Sequence, residues 1–239
     1  MPEPAWEVFD RDAQAHSGYL YTATTRLSST MATSRSRQLL LSAARFARRS
    51  VLDVGCGDGF YTLQLWDLTK PRSLIGIDAA ARAIDVATSN RGERPIQFAV
   101  GDSHVMPFPN NSFDLVLVQS ILHHDDDPLA TLREAFRVAP EVVIHEPNGN
   151  NLGLKIIERV SPYHRRHHER SYTPRRLKGW VEQAGGRVVA LQFAGFVPMF
   201  APDWLARIMK RLEPLVEGLP MINAAGCSVY VVLAVRARR

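Results

Sequence analysis

The sequence predicts an α/β fold built on a doubly wound, mostly parallel sheet, and three observations predict it. Seven short apolar runs, rich in Val, Ile and Leu and bounded by turn residues, fall at 50–54, 73–77, 95–100, 113–118, 141–145, 187–193 and 228–235. Helical patterns lie between most of them, near 59–69, 80–90, 128–138 and 174–184. The first run ends in a glycine-rich turn, Gly55-Cys56-Gly57-Asp58-Gly59. Alternating strands and helices place helices on both faces of a parallel sheet, and ligands in such sheets bind beyond the carboxyl ends of the strands.

The elements follow in order. Residues 1–48 read as a mostly helical N-terminal extension, broken by the Ser/Thr-rich stretch TATTRLSSTMATSRS, that folds over the ligand site. The first strand carries Asp53 and runs into the glycines, which let backbone turn tightly and approach a ligand closely. The helix N-terminus that follows favours polar or anionic groups. "LIGID" closes the second strand on Asp78, "VGD" brings Asp102 to the end of the third, and the fourth passes into Gln119-Ser120-Ile121-Leu122-His123-His124. Asp127-Pro128 and Thr173-Pro174 are N-cap residues followed by a proline at the first helical position. Gly185-Gly186 marks a helix end. Two segments stand outside the alternation, 148–172 and 195–222, and read as cap insertions in a domain spanning 49–239.

At 239 residues the chain supports one large domain with a cap and a sizeable core. Its 46% hydrophobic and 22% charged residues are ordinary for a soluble globular protein. The net charge of +5 is diffuse; it permits an anionic or membrane-surface partner without requiring one. Two cysteines, Cys56 and Cys227, form neither metal spacing nor a disulfide framework, which fits a reducing, cytoplasmic location. The opening MPEPAWEVFD has no apolar core, so it is not a signal peptide, and no apolar run reaches the about 18 residues of a spanning helix. No Cys-x-x-Cys occurs, and His167 and His168 are adjacent and so point differently on a helix; no metal site is expected.

The turn is G-x-G-x-G, not the G-x-G-x-x-G of dinucleotide folds. Asp78 at a strand tip can accept from both hydroxyls of a ribose, or cap the helix after it. Asp102 suits a ligand amino group or a local turn. Together these residues resemble the class I S-adenosylmethionine-dependent methyltransferases. The resemblance is carried jointly by VLDVGCGDG, the acid closing strand two, Gly101-Asp102 before PFPNNSFDLV, the LHH run, and YTPRRLKGWVEQAGGRVV. It covers about residues 45–193 and extends to the final strand. It departs from the family where a Lys-Pro-Gly-Gly turn before strand five is shortened to Ala139-Pro140.

The resemblance implies a Rossmann-like seven-stranded sheet with an antiparallel final strand, S-adenosyl-L-methionine as cofactor and S-adenosyl-L-homocysteine as product. It implies that Gly55 and Gly57 lie against the methionyl and ribose parts. Asp53 would orient the loop or reach the amino group through water. Asp78, with Ala79 beside it, would hold the ribose hydroxyls, and Asp102 would accept from the adenine amino group. Ser103 and His104 would lie near, with Val105 or Met106 on the ring face, and Gln119 at the methionine end. Tyr19 or Tyr21 would close over the carboxylate.

His123 and His124 follow strand four where an acceptor approaches. Either can act as a general base, since histidine titrates near neutral pH, or pack locally as a polar residue. His145, at the end of strand five, is a third candidate, and Glu146 can bond substrate or lid backbone. Cys56 reads as a small packing residue. The run YHRRHHER, 163–170, is a solvated face or an anion-binding lid. Leu205, Ile208, Met209, Leu212 and Leu215 recur at helical spacing, for cap packing or for a surface that receives a hydrophobic substrate or meets a membrane. Nucleic acid is disfavoured: no Asn/Asp-Pro-Pro-aromatic follows strand four, no Pro-Cys nucleophile occurs, and no RNA-binding module is visible. The expectation is methyl transfer to a small-molecule acceptor, a hydroxyl oxygen of a hydrophobic or aromatic natural product or of a lipid-linked compound. The alternative is a non-methylating protein on the same fold, with the cofactor structural and the site binding a ligand or catalysing a cyclisation.

Overall fold

The computed structural model of the chain describes residues 7–8, 10–11, 26–161, 164 and 169–237. Seven strands form one sheet: β1 Ser50–Val54, β2 Ser73–Asp78, β3 Ile96–Val100, β4 Leu115–Gln119, β5 Glu141–Pro147, β6 Gly186–Ala194 and β7 Val229–Arg236. Their order is β3-β2-β1-β4-β5-β7-β6. The first five run parallel, and β7 inserts antiparallel between β5 and β6. This is the architecture the sequence predicts. Chain direction across the sheet reverses between β1 and β4, which opens a crevice beyond their carboxyl ends.

Helices α1 Leu27–Ala43, α2 Phe60–Thr69, α3 Ala81–Asn90, α4 Pro128–Val138, α5 Leu152–Val160, α6 Pro174–Gln183, α7 Asp203–Gly218 and α8 Pro220–Gly226 flank the sheet or cap its carboxyl edge. Strands β1 and β4 are buried along their whole length, which explains their unbroken apolar runs. Alternate side chains serve two cores. Leu52, Val54, Val116, Val118 and Ile144 pack with α4 and α6 through Leu132, Phe136, Leu177 and Val181. Val51, Leu115, Leu117 and Val143 pack on the opposite face with Leu39 and Leu40 of α1 and Leu65 of α2. The described part of the N-terminal extension thus covers one face of the sheet. Both expected caps form: Asp127 accepts from Ala130 N, and Thr173 accepts from Arg176 N.

The cap segments are built differently. α5 is capped by Asn151, which accepts from Leu154 N, and buries none of its residues. α7 turns its carboxylates inward. Arg35 of α1 donates from Nε to Glu217 Oε1 at 2.9 Å and from Nη2 to Glu217 Oε2 at 2.5 Å. Glu217 also accepts from Gly195 N, and Glu213 accepts from Phe196 N and pairs with Lys210. The outward face carries Trp204, Ile208, Leu212 and Leu215, all exposed. Periodicity found this stripe, but the expectation that it packs into the cap is corrected for Ile208, Leu212 and Leu215. Two inward carboxylates with an Arg35 partner decide the helix rotation, and only Met209 reaches the small cluster of Val197, Ala201 and Ala206.

Arg35 therefore sets how the cap sits on the domain. Arg35→Met leaves Glu217 short of its main counter-charge. It is expected to lower unfolding free energy by about 3 kcal/mol, the range for breaking a largely buried pair. Denaturant titration checks this; a change within the about 0.5 kcal/mol of ordinary surface substitutions would mean that Arg35 does not hold the cap.

Candidate functional site

The turn after β1 is shaped around its glycines. Gly55 adopts φ +75°, and a Cβ there would sit 2.0 Å from Ile121 Cγ2, so no larger residue fits without rearrangement. Gly55 N and Cys56 N donate to Ile77 O at 2.8 and 3.1 Å, binding the turn to the end of β2. Asp78 completes the link: one carboxylate oxygen accepts from Gly57 N and the other from Ala80 N, each at 2.9 Å. Burial pushes the Asp78 carboxyl up, against the two backbone donors that favour its charge. Cys56 is buried in the turn and burial pushes its thiol up, as befits a packing residue.

Two acceptors in this half of the site are left open. Asp53 Oδ2 accepts from Thr62 Oγ1 at 2.6 Å, but Asp53 Oδ1 and Gln119 Oε1 are buried without a hydrogen-bond partner among the described residues. Burial pushes the Asp53 carboxyl up to about 7. Buried polar atoms are normally paired, so these two stand out in the wall of the cavity. At the tip of β3, Asp102 Oδ1 accepts from His104 N, Ser103 Oγ accepts from Thr131 Oγ1, and His104 Nε2 meets Asp125 at 2.8 Å. Asp102 thus forms the local turn and also faces the cavity. Val105 and Met106 do not line it, in contrast to their expected place on a ring face. Met106 is buried in the core and its N donates to Glu134, while Val105 points to solvent.

The other half is built where β4 meets β5. Ser120 adopts φ +55°, unusual for a non-glycine residue, and its N donates to His145 O at 2.8 Å. That bend sends residues 121–124 across the sheet edge. Glu146 Oε1 accepts from the backbone of Ile121 (3.1 Å) and Leu122 (3.0 Å), and its Oε2 meets His123 Nδ1 at 2.6 Å. Burial pushes the Glu146 carboxyl up and the His123 imidazole down, each disfavouring its charged form. His123 Nε2 lies 3.6 Å from Glu169 Oε2, and the His124 ring centroid stands 3.9 Å from that of His123. His145 has both ring nitrogens engaged, Nε2 with Ser36 Oγ at 2.6 Å and Nδ1 with Ser120 Oγ at 3.2 Å, and burial pushes it down to about 4.

One cavity of about 1420 Å³ lies at the carboxyl edge of the sheet. It exceeds the roughly 300–1,000 Å³ of a pocket for one drug-sized ligand, so it has room for two. Asp53, Gly55, Gly57, Asp78, Ala79, Asp102, Ser103 and Gln119 line one part, and His123, His124 and His145 line the part beside it. Tyr19 and Tyr21 lie outside the described residues, as do residues 165–168 of the YHRRHHER run. Sequence reasoning missed Tyr61 of α2, the α1 residues Ser29, Thr33 and Ser36, and Glu169, all of which line the cavity.

Residues 52–141 match a family model described as a methyltransferase domain. A Bacillus subtilis methyltransferase, YcgJ, is 33% identical over 95 residues, covering 38% of this chain and 37% of the relative. The demethylmenaquinone methyltransferase of Lactococcus lactis is 33% identical over 93 residues, 37% of each chain. Residues 52–141 are therefore similar to a methyltransferase domain. The matched region spans little more than a third of these curated relatives. Among solved structures, the [4+2]-cyclase SpnF superposes with a TM-score of 0.72 at 19% identity, covering 99% of this chain and 98% of that one. The Bacillus YcgJ structure superposes with a TM-score of 0.60 at 18% identity, covering 85% of this chain and 98% of that one. Both share the methyltransferase fold, and the glycine turn, Asp53 and Asp78 fall within or beside its matched segment.

Asp53 gives a stability signature. Its carboxyl titrates near 7 when folded and near the ordinary aspartate value when unfolded, so the folded state holds the extra proton between about pH 4 and 7. Stability from this group therefore falls as pH rises through that window. Asp53→Asn, which keeps an acceptor for Thr62, is expected to match wild-type melting near pH 4 and to exceed it increasingly towards pH 8. The gain is roughly 2–4 °C per kcal/mol recovered for a chain of this size. A ligand-free variant that melts below wild type at pH 8 would contradict the buried, ionised Asp53.

Proposed function

We propose that the protein transfers a methyl group from S-adenosyl-L-methionine to a hydroxyl oxygen of a hydrophobic or aromatic small molecule or lipid-linked compound. One observation carries the reading: a single cavity joins a nucleoside-type half to a histidine-lined half. The residues fit the cofactor. Asp53 Oδ1 and Gln119 Oε1 are buried acceptors that await donors, matching the ammonium end of the cofactor. The carboxylate of Asp78 has lone pairs beyond those used by Gly57 and Ala80, which suits the ribose hydroxyls, and Asp102 suits the adenine amino group. When bound, the cofactor supplies a methyl group already activated on a sulfonium. The chain has then to bind, align and keep out water. Alignment alone is worth about 7–11 kcal/mol.

The acceptor half supports a lipophilic hydroxyl compound. Leu154, Ile157 and Val160 of α5 and Met199 and Phe200 before α7 line its rim. Trp204, Ile208, Leu212 and Leu215 of α7 are apolar and exposed as well. His123 is the proposed contact with the acceptor: Glu146 fixes its ring through Nδ1, and Nε2 faces Glu169 at 3.6 Å in the histidine half. His145, with both nitrogens engaged, braces Ser36 against Ser120 and is proposed as a positioning residue. By their names, one relative from Legionella pneumophila is an O-methyltransferase and one from rice methylates a phytyl-hydroquinone. Both names are in keeping with the reading. The fold shared with a [4+2]-cyclase keeps one alternative, cofactor-assisted ligand binding or cyclisation without methyl loss.

Incubation with methyl-labelled S-adenosyl-L-methionine and a panel of phenols, hydroquinones and long-chain alcohols tests the reaction. Label in one acceptor with equimolar S-adenosyl-L-homocysteine is expected, and His123→Gln should slow it by about 10²–10⁴. Turnover of an acceptor without label loss would select the alternative.

Binding is tested separately. Asp78→Ala removes charged hydrogen bonds worth about 1.5–3 kcal/mol each. The calorimetric Kd for S-adenosyl-L-homocysteine should rise at least about tenfold. Unchanged affinity in a folded variant would remove Asp78 from the ribose site.

A further inference from the structure

Three donor atoms converge in the histidine-lined half of the cavity. One ring nitrogen of His123, one of His124 and one carboxylate oxygen of Glu169 all lie within 4.8 Å of one another. The histidines stand at the tip of β4, and Glu169 arrives from the segment after α5, so no spacing motif in the sequence joins them. His123 Nε2 and Glu169 Oε2 are 3.6 Å apart, too long for a hydrogen bond. Two ligands held at about 2.0–2.1 Å from one ion at a tetrahedral angle sit roughly 3.4 Å apart, which is close to what is found.

The second contact of His123 points the same way. Its Nδ1 is engaged by Glu146 at 2.6 Å, and Glu146 is itself fixed by the backbone N–H groups of Ile121 and Leu122. A carboxylate on the far nitrogen is the arrangement that orients an imidazole towards a metal and sets its tautomer. With Nδ1 engaged by Glu146, Nε2 faces the Glu169 carboxylate in a largely buried corner, where one cation could be held by both. Among the described residues, Lys155 is directed to Glu158 and the carbonyl of Ser171, and Arg170 to Asp126.

We propose that His123 Nε2, His124 and Glu169 form a site for a divalent cation of the zinc class, with coordination positions left open towards the cavity. Two imidazoles and one carboxylate suit zinc and its first-row neighbours better than magnesium or calcium, which take oxygen ligands. Three protein ligands and an open position are the pattern of a working site, not of a closed structural one. Binding of the ion rests on these donors alone; its use, to hold the acceptor's oxygen, rests on the methyltransferase reading. Glu146 is a positioning residue that acts through His123.

Zinc ion itself is the probe. Chelator-stripped protein is dialysed against zinc, the bound metal is counted by mass spectrometry, and S-adenosyl-L-homocysteine affinity is measured on the stripped protein in parallel. Wild type is expected to retain about one equivalent. His124→Ala and Glu169→Gln should lose it, and Glu146→Gln should bind about 10–100-fold more weakly. Thermal melting confirms that each variant is folded, and magnesium in excess should not displace the zinc. Failure of wild type to retain zinc overturns the site. So does retention unchanged in both ligand variants, which assigns the metal to other histidines. Cofactor affinity that survives chelation keeps the methyltransferase reading whatever the zinc result.

Discussion

The carboxylate of Asp78 is the contact on which the site depends. It joins Gly57 N and Ala80 N, so the turn after β1 and the start of α3 share one anchor at the sheet's switch point. Parallel pairing of β1 with β2 delivers Asp78 beside that turn. Gly55 lets the backbone pass Ile121, which leads to His123 on the other side of the crevice. The two halves of the cavity are therefore registered to one another through backbone, not through a flexible loop. Alignment of two reactants needs this rigidity more than it needs any single reactive group.

The same region carries most of the buried polar cost in the domain. Asp53, Gln119, His123, His145 and Glu146 are all nearly inaccessible to solvent. A core built only for stability would hold apolar side chains there. Ser120 adds backbone strain at the strand tip, and the hydroxyl it turns inward meets His145. Strained backbone, open acceptors and titratable groups crowd one edge of the sheet, while the opposite faces pack with ordinary aliphatic residues.

Much of this was legible in the sequence. Strands buried on both faces must be continuously apolar, so β1, β4 and β5 stand out, and Asp-Pro and Thr-Pro caps place α4 and α6 to the residue. The glycine turn and the strand-ending acids stand out because backbone approach and charged acceptors leave few residue choices. What was not legible depends on tertiary placement. The apolar stripe of α7 has the period of a buried helix, yet Glu213 and Glu217 reach Arg35 and rotate it outward. Met106 lies one residue past a surface turn, yet drops into the core. Ser29, Thr33 and Ser36 carry no motif, and Glu169 is hidden in a charged run; only the fold brings them to the cavity. The His123–His124–Glu169 grouping joins distant segments, which no rule of local spacing detects.

The central claim is that this cavity holds the cofactor in its Asp78 half and the acceptor in its histidine half. A crystal structure of the protein saturated with S-adenosyl-L-homocysteine tests it most directly. The account predicts ribose hydroxyls on Asp78, adenine beside Asp102, and the sulfur turned towards Gln119 and His123. A nucleoside bound outside the cavity, or lying in it with its sulfur turned away from His123, would contradict it.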